Sequence, residues 1–320
     1  MSATSSISLL PRLSGPRWVA AHQHRTTGRV FGGFVAVSFL AVAAFLAVSA
    51  GADPKADFAQ SADTGMTMLL QRVAGAGMLL PALVGAFVAG PLVARELESG
   101  TYTWLWTQSV SPVRWLATKL ALVSAVTLSG TAVLVVLFRL ARGALSAEAQ
   151  FSLSWYDTAY EMLGPVQVAM CALGIGVGAL VGLLVRKTVP AMVVAGITVL
   201  TVAWVFTGLL RKSLWPVETL VSKTPIESLH TPAVWDFADG MLTASGTRVL
   251  TETCWGTEGV GKTPEQCMAD LGGVQYFADV HPESHFWPLQ LIESGLLLVL
   301  AGLAVAVAFR VLRGRHAGAS

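Results

Sequence analysis

The sequence predicts an all-α, polytopic membrane protein with six membrane-spanning helices, and two observations carry that reading. Hydrophobic residues fill 54% of the 320 positions and charged residues only 12%, about half the charged share of an ordinary soluble domain. The apolar residues are also gathered into six runs. Each is near the ~20 residues that a helix needs to cross a hydrocarbon core of about 30 Å.

The runs cover residues 30–49, 73–94, 120–138, 162–185, 188–210 and 286–309. The first five contain no Asp, Glu, Lys or Arg, and the sixth contains Glu293 alone. The first run is too long for a signal-peptide core, follows residues 1–29 and is followed by further spans, so it reads as a retained helix. Six spans put both termini on one side, and the positive-inside rule says which. Arg12, Arg17, Arg25, Arg29, Arg95, Arg114, Lys119, Arg186, Lys187, Arg310, Arg313 and Arg315 fall on the terminal side, with Glu96 and Glu98 as its acids. On the other side, Lys55, Arg72, Arg139 and Arg142 mix with Asp53, Asp57, Asp63, Glu148, Asp157 and Glu161. Both termini are therefore expected in the cytoplasm. The chain divides into a leader (1–29), spans one to five (30–210), an extracytoplasmic segment (211–285), span six (286–309) and a cytoplasmic tail (310–320). Arg186 and Lys187 form a tight turn that makes spans four and five antiparallel neighbours.

Cys254 and Cys267 lie in the large outer segment, while Cys171 is inside span four. Outside the membrane the redox environment permits a disulfide, and a Cys254–Cys267 bridge is expected. Two cysteines without a second ligand pair are weak evidence for a metal, even with His281 and His285 four residues apart, so no metal site is expected. Residues 256–263, GTEGVGKT, satisfy the letters of a phosphate-binding loop. No hydrophobic strand precedes them and Pro264 follows, so the context that the mechanism needs is missing.

Glu293 sits about two turns into span six, with Gln290 on its face at i,i+3 spacing. An ionisable group in a membrane is costly and usually faces the bundle interior. It lies on a translocation path, pairs with Arg72 at the outer end of span two, or is hydrated near the interface. In span four, Gly174, Gly178 and Gly182 recur every four residues and form a small-residue face suited to close helix packing.

The segment between spans two and three, residues 95–119, reads as a charged stretch, a Gly100-Thr101 break, a short helix, and Ser111-Pro112 opening the next helix. Trp104, Trp106 and Trp115 suit the headgroup region. This pattern resembles the permease subunits of ABC-2-type transporters, closest to actinobacterial members, through Arg95-Glu96, Gly100-Thr101, Thr107-Gln108-Ser109, Ser111-Pro112 with Arg114, and Lys119. Supporting stretches are Trp18 with His22 to Arg25, Arg186 to Met192, and Phe286 to Glu293. The resemblance implies a cytoplasmic coupling helix in 95–119, seated on a separate ABC ATPase through Arg95, Glu96, Gly100, Thr101, Thr107, Ser109, Pro112 and Lys119. It also implies an amphipathic elbow helix in the leader, a second permease subunit in a homodimer, export, and a bacterial plasma membrane location. ATP and Mg would bind the partner ATPase, this chain holding no cofactor and catalysing no covalent chemistry. The lipid bilayer is the other expected partner; nucleic acid is not one. The competing reading is a membrane sensor or scaffold whose outer segment binds a ligand.

Overall fold

The computed structural model describes residues 40, 43–45, 47, 57–100, 111–226, 234–255 and 263–317. Most of the first apolar run, the leader with its elbow helix, Thr101, Thr107, Ser109 and residues 256–262 lie outside the described residues. Among the described residues, five helices are long and apolar enough to cross a membrane.

Helix α1 (Asp57–Leu83) runs through a π-helical turn (Val84–Ala89) into α2 (Gly90–Glu98), making one long rod. Helix α3 (Pro112–Gly143) starts where Ser111 caps it, its side chain accepting from the Arg114 amide with Pro112 in the first turn. A short helix α4 (Ala147–Phe151) and a 3-10 turn (Glu161–Leu163) lead into α5 (Val166–Val185). Arg186, in the left-handed region at φ 57°, closes α5 and turns the chain sharply into α6 (Thr188–Val205). A second π-helical turn (Phe206–Leu210) and a 3-10 turn (Arg211–Ser213) extend α6.

The central helix is α5, which packs against α1, α2, α3, α6 and the last span. Its glycines make that possible. A Cβ on Gly174 would lie 2.4 Å from the Pro81 carbonyl, on Gly178 2.6 Å from that of Gly85, and on Gly182 2.8 Å from that of Gly90. The stripe therefore seats against the α1–α2 rod within the same chain, where bare backbones approach closely. Pro81 has no amide hydrogen, so the carbonyl four residues earlier, on Gly77, loses its helical partner. Gln167 of α5 replaces that partner, its amide nitrogen donating to Gly77 at 2.8 Å. On the outside, α6 exposes Val189, Val193, Ile197, Leu200 and Trp204, an apolar face whose natural solvent is lipid.

Between spans five and six the all-α expectation fails. The segment folds into an antiparallel sheet of β1 (Glu218–Ser222), β2 (Val234–Thr243), β3 (Arg248–Leu250) and β4 (Gly273–Pro282), in the order β1-β4-β2-β3. Short helix α7 (Pro264–Asp270), with a Thr263–Gln266 capping box, lies between β3 and β4. Cys254 and Cys267 are joined, with Cα atoms 5.9 Å apart, tying the turn after β3 to α7 beside Met241 and Met268. From β4 the chain enters α8 (Phe286–Ala317), the last span.

Antiparallel packing gives the bundle two distinct ends. The sheet end gathers the start of α5, the extension of α6 and the start of α8. The opposite end gathers the close of α2 and the starts of α3 and α6.

Candidate functional site

At the sheet end, three ionisable side chains from three separate elements converge. Arg211 arrives on the turn that extends α6, Glu161 on the 3-10 turn before α5, and Glu293 two turns into α8. Arg211 grips Glu293 with two hydrogen bonds, Nε to Oε2 and Nη2 to Oε1, both at 3.0 Å. The same Nη2 donates to Glu161 Oε1 at 2.6 Å and to Thr207 Oγ1 at 3.4 Å. The guanidinium carbon lies 3.8 Å from the centre of the Tyr160 ring, a close cation–π contact. Side-chain exposure is 3% for Arg211, 7% for Glu161 and 0% for Glu293. Such a fork of charge-assisted bonds is what lets a guanidinium stay charged away from water.

Gln290, one turn before Glu293, secures the wall of this cluster. Its amide nitrogen donates to the Tyr160 carbonyl at 2.8 Å, and its oxygen accepts from the Val166 amide at 3.2 Å. Gly164 is required there, because a Cβ would lie 2.3 Å from the Gln290 oxygen. Above the cluster, Trp155, Tyr160 and Phe286 meet edge to face, and Trp155 continues the contact to Trp235 of β2. The sheet is thus fastened to the helices through aromatic rings.

Next to Arg211, the Lys212 carbonyl lies 3.2 Å from His281 Nε2, and His281 Nδ1 lies 3.0 Å from His285 Nδ1. A carbonyl only accepts, so His281 carries its proton on Nε2 and accepts at Nδ1 from His285, an assignment made from the network. Burial holds the His281 ring below its ordinary range for protonation; the Lys212 carbonyl opposes this and the neighbouring His285 ring adds to it.

The opposite end carries the other group of sequence candidates. Ser99 caps the end of helix α2, and Gly100 follows at φ +70°, the left-handed geometry of a helix C-terminus that favours glycine. Lys119 pairs with Glu96 and donates to the Leu92 carbonyl at 3.4 Å, while Trp115 Nε1 donates to the second Glu96 oxygen at 2.9 Å. The ammonium also lies 4.9 Å from the centre of the Trp115 ring. Glu98 accepts from the Thr188 amide at 2.8 Å and from its hydroxyl at 2.5 Å, so the end of α2 also caps α6. Arg95 is exposed beside this clamp, and Pro112 sits in the first turn of α3.

Of the sequence candidates, the structure brings Glu96 and Lys119 together and joins Cys254 to Cys267. It sets Gly174, Gly178 and Gly182 in one interface. The suggested Arg72–Glu293 pair is corrected: Arg72 is exposed on α1, and the partner of Glu293 is Arg211. Glu161 and Arg211 were not singled out as site residues in sequence because each lies just outside an apolar run, Glu161 as the last residue of one loop and Arg211 as the first of another. The available signal was that antiparallel neighbours must place the end of span five beside the start of span six, where Glu293 lies.

No curated protein and no solved structure matches this chain. A sequence model of one family, described as ABC-2 membrane transporter related, matches residues 25–211. That interval is more than half of the chain and runs from the leader to Arg211 of the buried cluster. With its apolar helices, the chain is a multi-pass membrane protein, and it belongs to the ABC-2 membrane transporter related family.

Proposed function

We propose that this chain is the membrane-spanning permease subunit of an ATP-driven exporter, coupled to a separate ABC ATPase through residues 95–119. Family membership supports a transporter component. The observation that carries the coupling role is the clamp at the end of α2. Gly100 turns the chain out of the helix at φ +70°, while Glu96, Trp115 and Lys119 bind the two helix ends that flank residues 101–110. A push on that segment would pass directly into α2 and α3, and through Glu98 and Thr188 into α6. In this reading both termini are cytoplasmic in a bacterial plasma membrane, two permeases assemble with two ATPases, and ATP and Mg bind the partner.

The test is a pull-down of the tagged protein from native membranes in mild detergent, with copurifying proteins identified by mass spectrometry. A stoichiometric ATPase, lost when Gly100→Pro is introduced, is the expected result. The sensor or scaffold alternative draws support from the disulfide-tied sheet. Absence of any ATPase, in conditions that preserve other membrane complexes, would favour it.

A further inference from the structure

The buried cluster is short of one positive charge. Arg211 supplies one, and Glu161 and Glu293 supply two negatives. The hydrogen bonds are unevenly shared as well. Glu293 is held by the guanidinium fork, whereas Glu161 Oε2 is buried and accepts no hydrogen bond from the described residues. An unmet buried acceptor costs about 1–3 kcal/mol, and more when it is charged. The neighbouring cations do not fill the need. Arg139 is exposed and donates to the Leu163 carbonyl at 2.7 Å; Arg142 donates to that of Leu153 at 2.7 Å.

A ligand suited to Glu161 Oε2 would be positive and would donate a hydrogen bond. A hard metal ion fits poorly, because it wants six or more oxygens and would sit beside a guanidinium. Among the described residues, no group of three or more His, Cys, Asp or Glu could hold one. An ammonium fits both demands. Trp155, Tyr160 and Phe286 add an apolar wall suited to the carbon chain behind it.

We propose that the Glu161–Arg211–Glu293 cluster receives the ammonium head of an amphipathic amine, and that such amines are the substrate class of the transporter. The substrate part of this inference rests on the permease reading above. Glu161 Oε2 takes an N–H from the ligand, Glu293 stays on Arg211, and the alkyl part lies against the aromatic wall. The cluster is closed in the structure, so an amine reaches it only when the elements that carry it part.

The experiment is equilibrium binding of radiolabelled octylamine to the full-length protein in mild detergent, with 1-octanol and octyltrimethylammonium as competitors. Saturable binding is expected, unaffected by octanol and displaced only weakly by the quaternary ion, which has no N–H to give. Glu161→Gln should weaken binding by about tenfold or more, the scale of one charge-assisted hydrogen bond, while Glu161→Asp retains it. Equal competition by octanol, or unchanged affinity in Glu161→Gln, would overturn the proposal. So would a wild type that binds no octylamine but shows a neutral carboxylic acid band in the infrared that Glu161→Gln removes, since a proton would then supply the charge. The competition series needs only wild type, so it decides even if the variants do not fold. Because the assay uses the permease alone, its outcome is independent of whether an ATPase copurifies.

Discussion

At one end of the bundle, Lys119 and Glu96 pair with side chains still 15% and 24% exposed. At the other, Arg211 bridges Glu161 and Glu293 at 3%, 7% and 0%. Both are ion pairs between separate helices, yet the physical regimes differ. The first keeps some solvent, and its attraction is screened. The second has given up solvation altogether and depends on every remaining partner. The first can therefore lose a partner at small cost, while the second cannot.

The largest expected effect follows from breaking the buried cluster. Arg211→Leu leaves two carboxylates facing each other without a cation, a change that costs about 3–5 kcal/mol for a buried pair. Loss of the monodisperse peak in detergent chromatography is the expected readout; a fully folded variant would mean that water already reaches the cluster. Next comes Gln167→Ala, which orphans the Gly77 carbonyl freed by Pro81. That should cost about 1–3 kcal/mol, seen as a lower midpoint in thermal unfolding, whereas an unchanged midpoint would show that the carbonyl has another donor.

Smaller still is the effect at the exposed end. Lys119→Ala should cost about 1 kcal/mol or less in stability and yet uncouple ATP hydrolysis from transport. A large loss of stability would move this pair into the same class as Arg211. The smallest effect concerns pH. His281 is held neutral in the folded sheet, so the unfolded chain binds more protons in the interval below the ordinary histidine value of about 6.5. Stability is therefore full above that value and declines as pH falls through the depressed folded one. His281→Gln should flatten this part of the unfolding profile; an identical slope would assign the dependence to another group.

The same contrast explains what the sequence could reveal. Apolar runs report solvent, so spans two to six are visible as composition, with helix ends extended by caps such as Ser111 and by the π-helical turns. The Glu96–Lys119 clamp lies within one short segment, and its residues could be singled out without a fold. The sheet was hidden because β1 and β3 are short, and the two longer strands, β2 and β4, are paired through register shifts and mix polar and apolar residues on both faces. The residue pattern offered no long alternation. The Arg211 cluster was hidden for a different reason. Its carboxylates lie 50 and 82 positions from the arginine in sequence, and only the antiparallel packing of spans four, five and six brings them together. Charge read along the chain placed Arg211 and Glu161 in loops; charge read in space places them in the core.

The measurement that bears most directly on the account is site-specific photocrosslinking in native membranes. A photoreactive residue at Thr101, the next in sequence after Gly100, is compared with one at Glu265, exposed on α7. The account predicts a crosslink from position 101 to an ATP-binding protein, enhanced or shifted by ATP, and none to that protein from position 265. An ATP-binding partner captured at position 265, or none at 101 despite efficient photolysis, would contradict the coupling role of residues 95–119 and the orientation that goes with it.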